Sequence, residues 1–328
     1  MMRAALLGTL MFFAAGWGRA AAVRFAPREL FRIPFGKSPE ALGTRIDGGS
    51  FLFPRDFTMD EAGHFYISDT QNHRIARYSS AGKFEMAFRY PPTAGQVFAH
   101  ADERGNLWLL ISDPARGVYD GVYSPTGQLL KAGIFSRFHH FRLHLDDDYG
   151  LHVILSGDAD RPAPQMYILD KESLLMKKEK VAPPPEGHHE LRRKDQVYFI
   201  DPVPTASRDD SRRVNRITDA AHHGVASIRG VVAYVTDRGE IYARVGDREL
   251  DVYDAAGAFE GKVLLKGLRS ACRSVRFDAE GNIYELDGIA DRTDDDIRRL
   301  EPGRRDDFED LHYSARMPGM RLIEWERR

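Results

Sequence analysis

The chain has 328 residues, 42% of them hydrophobic and 29% charged, which is enough apolar material for one large core or two ordinary ones. With 47 basic and 49 acidic side chains the formal net charge is -2, so the total charge carries no nucleic-acid or anionic-membrane footprint. The only cysteine, Cys272, excludes an intrachain disulfide and a cysteine cluster for zinc or iron–sulfur, and reads as a small buried apolar residue.

The first residues form a separate unit. Arg3 precedes an apolar run from Ala4 to Ala15, and Ala20, Ala21 and Ala22 supply a small-residue site. This pattern predicts a secretory signal over residues 1–22, cut near Ala22. The run is too short to span a bilayer comfortably as a mature helix. Its removal takes Arg3 and Arg19 and no acid, leaving 45 basic against 49 acidic side chains and a charge of -4. No later run is long and apolar enough to cross a membrane. The mature chain is therefore expected to be exported, periplasmic or extracellular, soluble and monomeric.

After a lone strand at Leu30–Phe35, the stretch from Phe51 to Phe88 reads as four strands separated by turns. Phe57–Met59 is short, and Asp60-Glu61-Ala62-Gly63 is a turn whose glycine can take positive φ. His64–Ser68 is β-rich, Asp69–Asn72 turns the chain, Arg74–Tyr78 alternates with period two, and Lys83–Phe88 closes the unit. The Asp-x-x-Gly turn recurs at Asp60, Asp102, Asp147 and Asp278, each time just before a strand. The last offset is close to three times the others, so two degenerate copies are expected between them. Arg193-Lys194-Asp195 before Gln196–Ile200, and Ser227–Gly230 before Val231–Val235, are the candidates. The later turn recurs as Ser80-Ala81-Gly82, Pro125-Thr126-Gly127 and Ala255-Ala256-Gly257, preceded by Tyr78, Tyr123 and Tyr253.

A period of roughly 40–45 residues with four strands each predicts propeller blades, because one such sheet cannot bury both apolar faces alone. The reading is all-β: a six-bladed β-propeller of four-stranded blades over residues 28–328. The last period, with Val275–Phe277, Ile283–Leu286 and Met320–Trp325, supplies only three strands, so the N-terminal strand is expected to join the C-terminal blade and close the ring. Pro183-Pro184-Pro185 reads as a stiff linker. The polar Arg/Asp-rich stretches 201–219 and 291–313 read as long loops or short surface helices.

The first period resembles the NHL repeat through Phe53-Pro54, Asp60-x-x-Gly63, Tyr66–Asp69, the run Asp69-Thr70-Gln71-Asn72-His73-Arg74-Ile75, then Tyr78 and Gly82. In this motif Asp69 and Asn72 are expected to cap the turn by local side-chain bonds, and Arg74 to pair with Asp69, as structure rather than ligand binding.

Ligands of propellers gather at the mouth of the central channel, reached from just before each innermost strand. Counting five residues back from each turn aspartate gives Arg55, Val97, Arg142 and Arg273; the weaker copies give His189 or His188, and His223 or His222. Arg55, Arg142, Arg273, His223 and His189 thus make a positive ring suited to an anionic group, with Asp56 and Asp102 as partial counter-ions. The opposing expectation is that each arginine pairs with an acid of the neighbouring blade.

The resemblance also admits zinc, because peptidylamidoglycolate lyases of the wider NHL group hold it with channel histidines. Here arginines fill the matching positions, and adjacent histidines point to opposite faces of a strand, so no metal site is assigned. Catalytic residues are unknown, and no phosphate loop, nucleophile elbow or His-Glu-x-x-His appears. Two functions follow: an interaction module for a protein, peptide or glycan, or a metal-dependent lyase or hydrolase acting at the channel.

Overall fold

A computed structural model describes residues 24–47, 50–54, 56–91, 96–102, 104–113, 117–136, 141–145, 151–155, 165–170, 175–178, 189–193, 196–203, 214–219, 221, 223–236, 238–246, 248–265, 275–278, 280–290, 292, 295, 299 and 316–328. The signal segment, the proline linker and Cys272 lie outside them. Among the described residues the fold is all-β, and its four-stranded sheets are antiparallel meanders, as a propeller requires. No helix among them is long and apolar enough to cross a membrane.

Sheet I is β4 (Phe57–Met59), β5 (Phe65–Asp69), β6 (Arg74–Tyr78) and β7 (Phe84–Arg89). Sheet II is β8 (Gln96–Ala101), β9 (Leu107–Asp113), β10 (Gly117–Tyr123) and β11 (Leu129–Ser136). Sheet III is β12 (Phe141–Leu145), β13 (Leu151–Leu155), β14 (Gln165–Asp170) and β15 (Leu175–Lys178). Sheet IV is β16 (His189–Arg193), β17 (Gln196–Val203), β18 (Val214–Asp219) and β19 (Gly224–Arg229). Sheet V is β20 (Val231–Val235), β21 (Ile241–Arg244), β22 (Glu249–Tyr253) and β23 (Phe259–Leu264). Sheet VI draws on both ends of the chain: β24 (Val275–Phe277), β25 (Ile283–Gly288), β26 (Gly319–Arg327), and then β1 (Phe25–Pro34), which pairs with β26 from Phe25↔Arg327 to Pro34↔Gly319. A small ribbon of β2 (Arg45–Asp47) and β3 (Ser50–Leu52) lies between β1 and sheet I in the chain.

The tight turns share one chemistry. Asp102 accepts hydrogen bonds from the backbone of Arg104 (2.9 Å) and Asn106 (2.8 Å), from the Asn106 amide (3.0 Å) and from Trp108 Nε1 (3.0 Å). Asp278 receives Asn282 in the same way, with Tyr284 at 3.1 Å; Asp60 receives His64 and, at 2.8 Å, Tyr66. The carboxylate thus fixes the turn and also satisfies a polar aromatic six residues on, which the following strand carries into the sheet interface. Gly63, Gly105 and Gly281 sit in these turns at positive φ.

The fifth turn differs from expectation. It is Thr236 to Gly239, where Thr236 Oγ1 accepts the Glu240 backbone N–H at 3.1 Å, while Ser227–Arg229 belong to β19, the outer strand of the preceding sheet. Gly230 also has positive φ, which gave its surroundings the look of a turn.

Cores form between successive sheets. Tyr66, Ile75 and Phe88 of sheet I meet Val97, Leu107 and Tyr123 of sheet II. Ile217 and Ile228 of sheet IV meet Ile241 and Tyr253 of sheet V. Tyr242, Val252 and Val263 of sheet V meet Ile283 and Trp325 of sheet VI. Leu286, Met320 and Ile33 of sheet VI meet Phe57, Phe65 and Tyr78 of sheet I. Every residue of β5 is buried, since both faces of its sheet are covered; Phe65, Tyr66 and Ile67 enter the cores, and the polar Ser68 and Asp69 are enclosed with them. Because each sheet is a meander, the first and third turns leave from one end. The second-to-third connections and the links between sheets leave from the other, including the longest, residues 289–318 between β25 and β26.

Candidate functional site

Two charged arrangements stand at that second end. The first is buried. Asp69 ends β5 and is fully enclosed; it receives Arg74 Nε at 2.8 Å, the Asn72 amide at 2.7 Å and the backbone N–H of Gly43 at 2.9 Å. Arg74 also donates to the carbonyls of Pro39 (2.7 Å) and Ala41 (2.5 Å), and its guanidinium lies 5.8 Å from the Phe84 ring centre. Both charges are compensated without solvent. The expected Asp69–Arg74 pair is present, but Asp69 makes no side-chain cap on the 3₁₀ turn Thr70–Asn72. Its carboxylate instead binds the lead-in segment before sheet I. That long-range use was illegible in the sequence, where Gly43 gives no signal; a side chain there would collide with Asn72.

The second arrangement is partly open. Arg276, in β24 at the free edge of sheet VI, donates to Asp56 just before β4, the free edge of sheet I, at 2.6 Å. It also donates to the Val275 carbonyl and lies 5.5 Å from the Phe57 ring centre. The Arg276 side chain retains 28% exposure and that of Asp56 14%. This is the neighbouring-sheet pairing anticipated for the ring arginines, made by a residue the count along the chain passed over. Arg276 stands one position before the end of β24, where the alternation of the strand was the only available signal.

The ring residues themselves are distributed as follows. Arg55 and Arg273 lie outside the described residues, as do His188 and His222. Aligned on the closing strand pairs Met59↔Phe65 and Leu145↔Leu151, Arg142 in β12 is level with Asp56, one position from the level of Arg55. Asp147 itself lies outside the described residues. His189 opens β16 opposite Ile200. His223 belongs elsewhere: it sits in the turn from β18 to β19, with its backbone N–H on Asp219 Oδ1 at 2.8 Å and its ring 3.3 Å from the same carboxylate. These bonds hold the Asp219 carboxyl below its ordinary range, the backbone bond from His223 first among them. In β20 the bulge between Val232 and Tyr234 sets Val231 opposite Arg244, three partners from the closing pair Val235↔Ile241 and so level with Asp56. Asp102 is consumed by its turn and does not serve as a counter-ion. Among the described residues no three His, Cys, Asp or Glu side chains are grouped closely enough to hold a metal ion.

Residues 51–78 match the NHL repeat, the span that holds Asp60, Asp69 and Arg74. No curated protein matches the chain. Similar solved structures include a streptogramin B lyase (11% identity, 80% of each chain covered, TM-score 0.44) and a luciferin-regenerating enzyme (11% identity, 83% of this chain and 90% of the other, TM-score 0.42). TolB from Acinetobacter baumannii is similar at 13% identity, with 68% of this chain and 58% of the other covered and a TM-score of 0.39.

Proposed function

We propose that this chain is an exported NHL-type propeller of six four-stranded blades over residues 28–328, ringed shut by β1 in the last blade, and that it acts as a binding module. One observation carries the binding reading: the two ends of the sheets are built differently. One end is confined to short turns fixed by Asp, Ser or Thr and by glycines at positive φ. The other carries the variable connections and the starts of the inner strands. A rigid disc with one variable end is suited to presenting a recognition surface.

The ligand is an acidic group on a protein, peptide or glycan, taken at the channel mouth by Arg55 and Arg273 with His189. Arg142 stands one position along its strand, and His223 is not part of this site. The segment 1–22 directs export to the periplasm or beyond and is removed. An anion-binding screen on the wild type and on the Arg55→Ala/Arg273→Ala double variant tests the reading. Loss of at least tenfold in affinity is expected, and equal affinity would refute it. Zinc in untagged protein, with turnover lost on chelation, would replace it by the lyase reading.

A further inference from the structure

We infer that the joint between sheets I and II holds, at its second-end corner, a site for one uncharged hydroxyl group, gripped by Ser68, His73 and Tyr90; it is separate from the anion site proposed above. The pairing register brings the three residues together. Ser68 stands opposite Ile75, and Ile75 opposite Phe88, so these three share the face that packs on sheet II. One row further out, the Tyr90 backbone N–H donates to the His73 carbonyl at 3.2 Å, which continues the pairing of β6 and β7 beyond Arg74↔Arg89. Tyr90 follows Phe88 by two residues and joins the same core. Its ring meets that of His73 edge-on, with centroids 6.4 Å apart. His73 is the one non-glycine residue at positive φ among the described residues, at 50°, and that turn of the backbone sets its imidazole beside Tyr90.

Ser68 and Tyr90 are 2% and 5% exposed. Ser68 Oγ, His73 Nδ1 and the Tyr90 hydroxyl are each shut off from solvent, and none has a hydrogen-bond partner within the protein. The Ser68 backbone N–H is already given to the Asp56 carbonyl at 2.9 Å, and Val97 and Ile111 of sheet II, packed in the same core, bring no polar group. Buried polar groups are almost always paired, so three at one corner call for a guest that hydrogen-bonds. Ser68 and Tyr90 can each donate or accept, and His73 Nδ1 does either according to tautomer. A hydroxyl oxygen carries both a proton and lone pairs and answers all three. A charged guest is disfavoured, because the neighbouring Asp69 carboxylate is already bound by Arg74, Asn72 and Gly43. That carboxylate also adds to the upward push that burial gives the Tyr90 phenol, so an anion would be repelled. The hydroxyl comes from an internal water or from a polyol ligand.

The test counts long-lived internal waters by oxygen-17 relaxation of the solvent in wild type, Ser68→Ala, Tyr90→Phe and the double variant, each first checked for a native thermal transition. Glycerol is the probe polyol, and its affinity for the same proteins is measured by calorimetry. A count lower by one in the double variant, unmoved by glycerol, identifies the guest as water. Glycerol bound about tenfold more weakly by the double variant than by wild type identifies a ligand hydroxyl. Either result supports the site. An equal count in wild type and variants, with glycerol bound equally or not at all, overturns it. The single variants are read in the same way should the double variant fail to fold. Neither substitution touches Arg55 or Arg273, so the anion reading stands or falls by its own experiment.

Discussion

Asp69 and Asp254 are both turn aspartates, and the difference between them lies in what would be stranded by their loss. Asp254 receives two backbone N–H groups in an exposed turn, at 2.9 and 2.8 Å, and water can replace it. Asp69 is the acidic partner of a guanidinium that is itself enclosed, so its removal leaves a buried, uncompensated cation. Asp69→Ala is therefore expected to destabilise the fold by about 3–5 kcal/mol, and Asp254→Ala by about 1 kcal/mol. Urea denaturation midpoints measure both; similar losses for the two would contradict the assignment.

Strands and turns were legible in the sequence to the extent that a side chain announced them. Phe57–Met59, Arg74–Tyr78 and Val275–Phe277 coincide with the strands read from alternation, because each is short and bounded by a turn aspartate or glycine. The fifth period was misphased by one strand because Thr236 does part of an aspartate's work with a single oxygen, and Gly230 supplied a false turn. Positions at the mouth were correspondingly less legible: counting from a turn carries any error in the turn forward, as Arg142 and His223 show. Glycines in equivalent conformations also differ by what lies beside them. Gly63 and Gly82 have φ of 79° and 77°, but a β-carbon at Gly63 would meet only Ser80 at ordinary contact distance, whereas one at Gly82 would enter the Phe31 ring of β1. Gly63→Ala is expected to cost about 1 kcal/mol from backbone strain, and Gly82→Ala about 2–3 kcal/mol because overpacking adds to it. Chemical denaturation distinguishes them, and equal effects would mean that β1 does not press on that turn.

Across the whole molecule the buried tyrosines form a shared titration. Burial pushes the phenols of Tyr66, Tyr78, Tyr90, Tyr242 and Tyr284 well above their ordinary value of 10.0, and those of Tyr123 and Tyr253 upward as well. Once pH exceeds about 10 the unfolded chain has lost protons that the folded chain still holds, so stability falls as pH rises. The urea midpoint is expected to be steady between about pH 7 and 9 and to drop above about pH 10, less steeply in Tyr66→Phe/Tyr78→Phe. A midpoint unchanged through about pH 11 would show that these phenols are not enclosed.

The pairing of β1 with β26 has a consequence for how the protein comes into being. Arg24 and Arg328 exchange backbone hydrogen bonds, so β1 waits on a strand made much later in the chain. A ribosome emits β1 long before its partner exists, and β1 stays unpaired until β26 has been made. The joint between β1 and β26 is therefore the last part of this sheet that can close, and strands β24 and β25 must hold their fold without it until then.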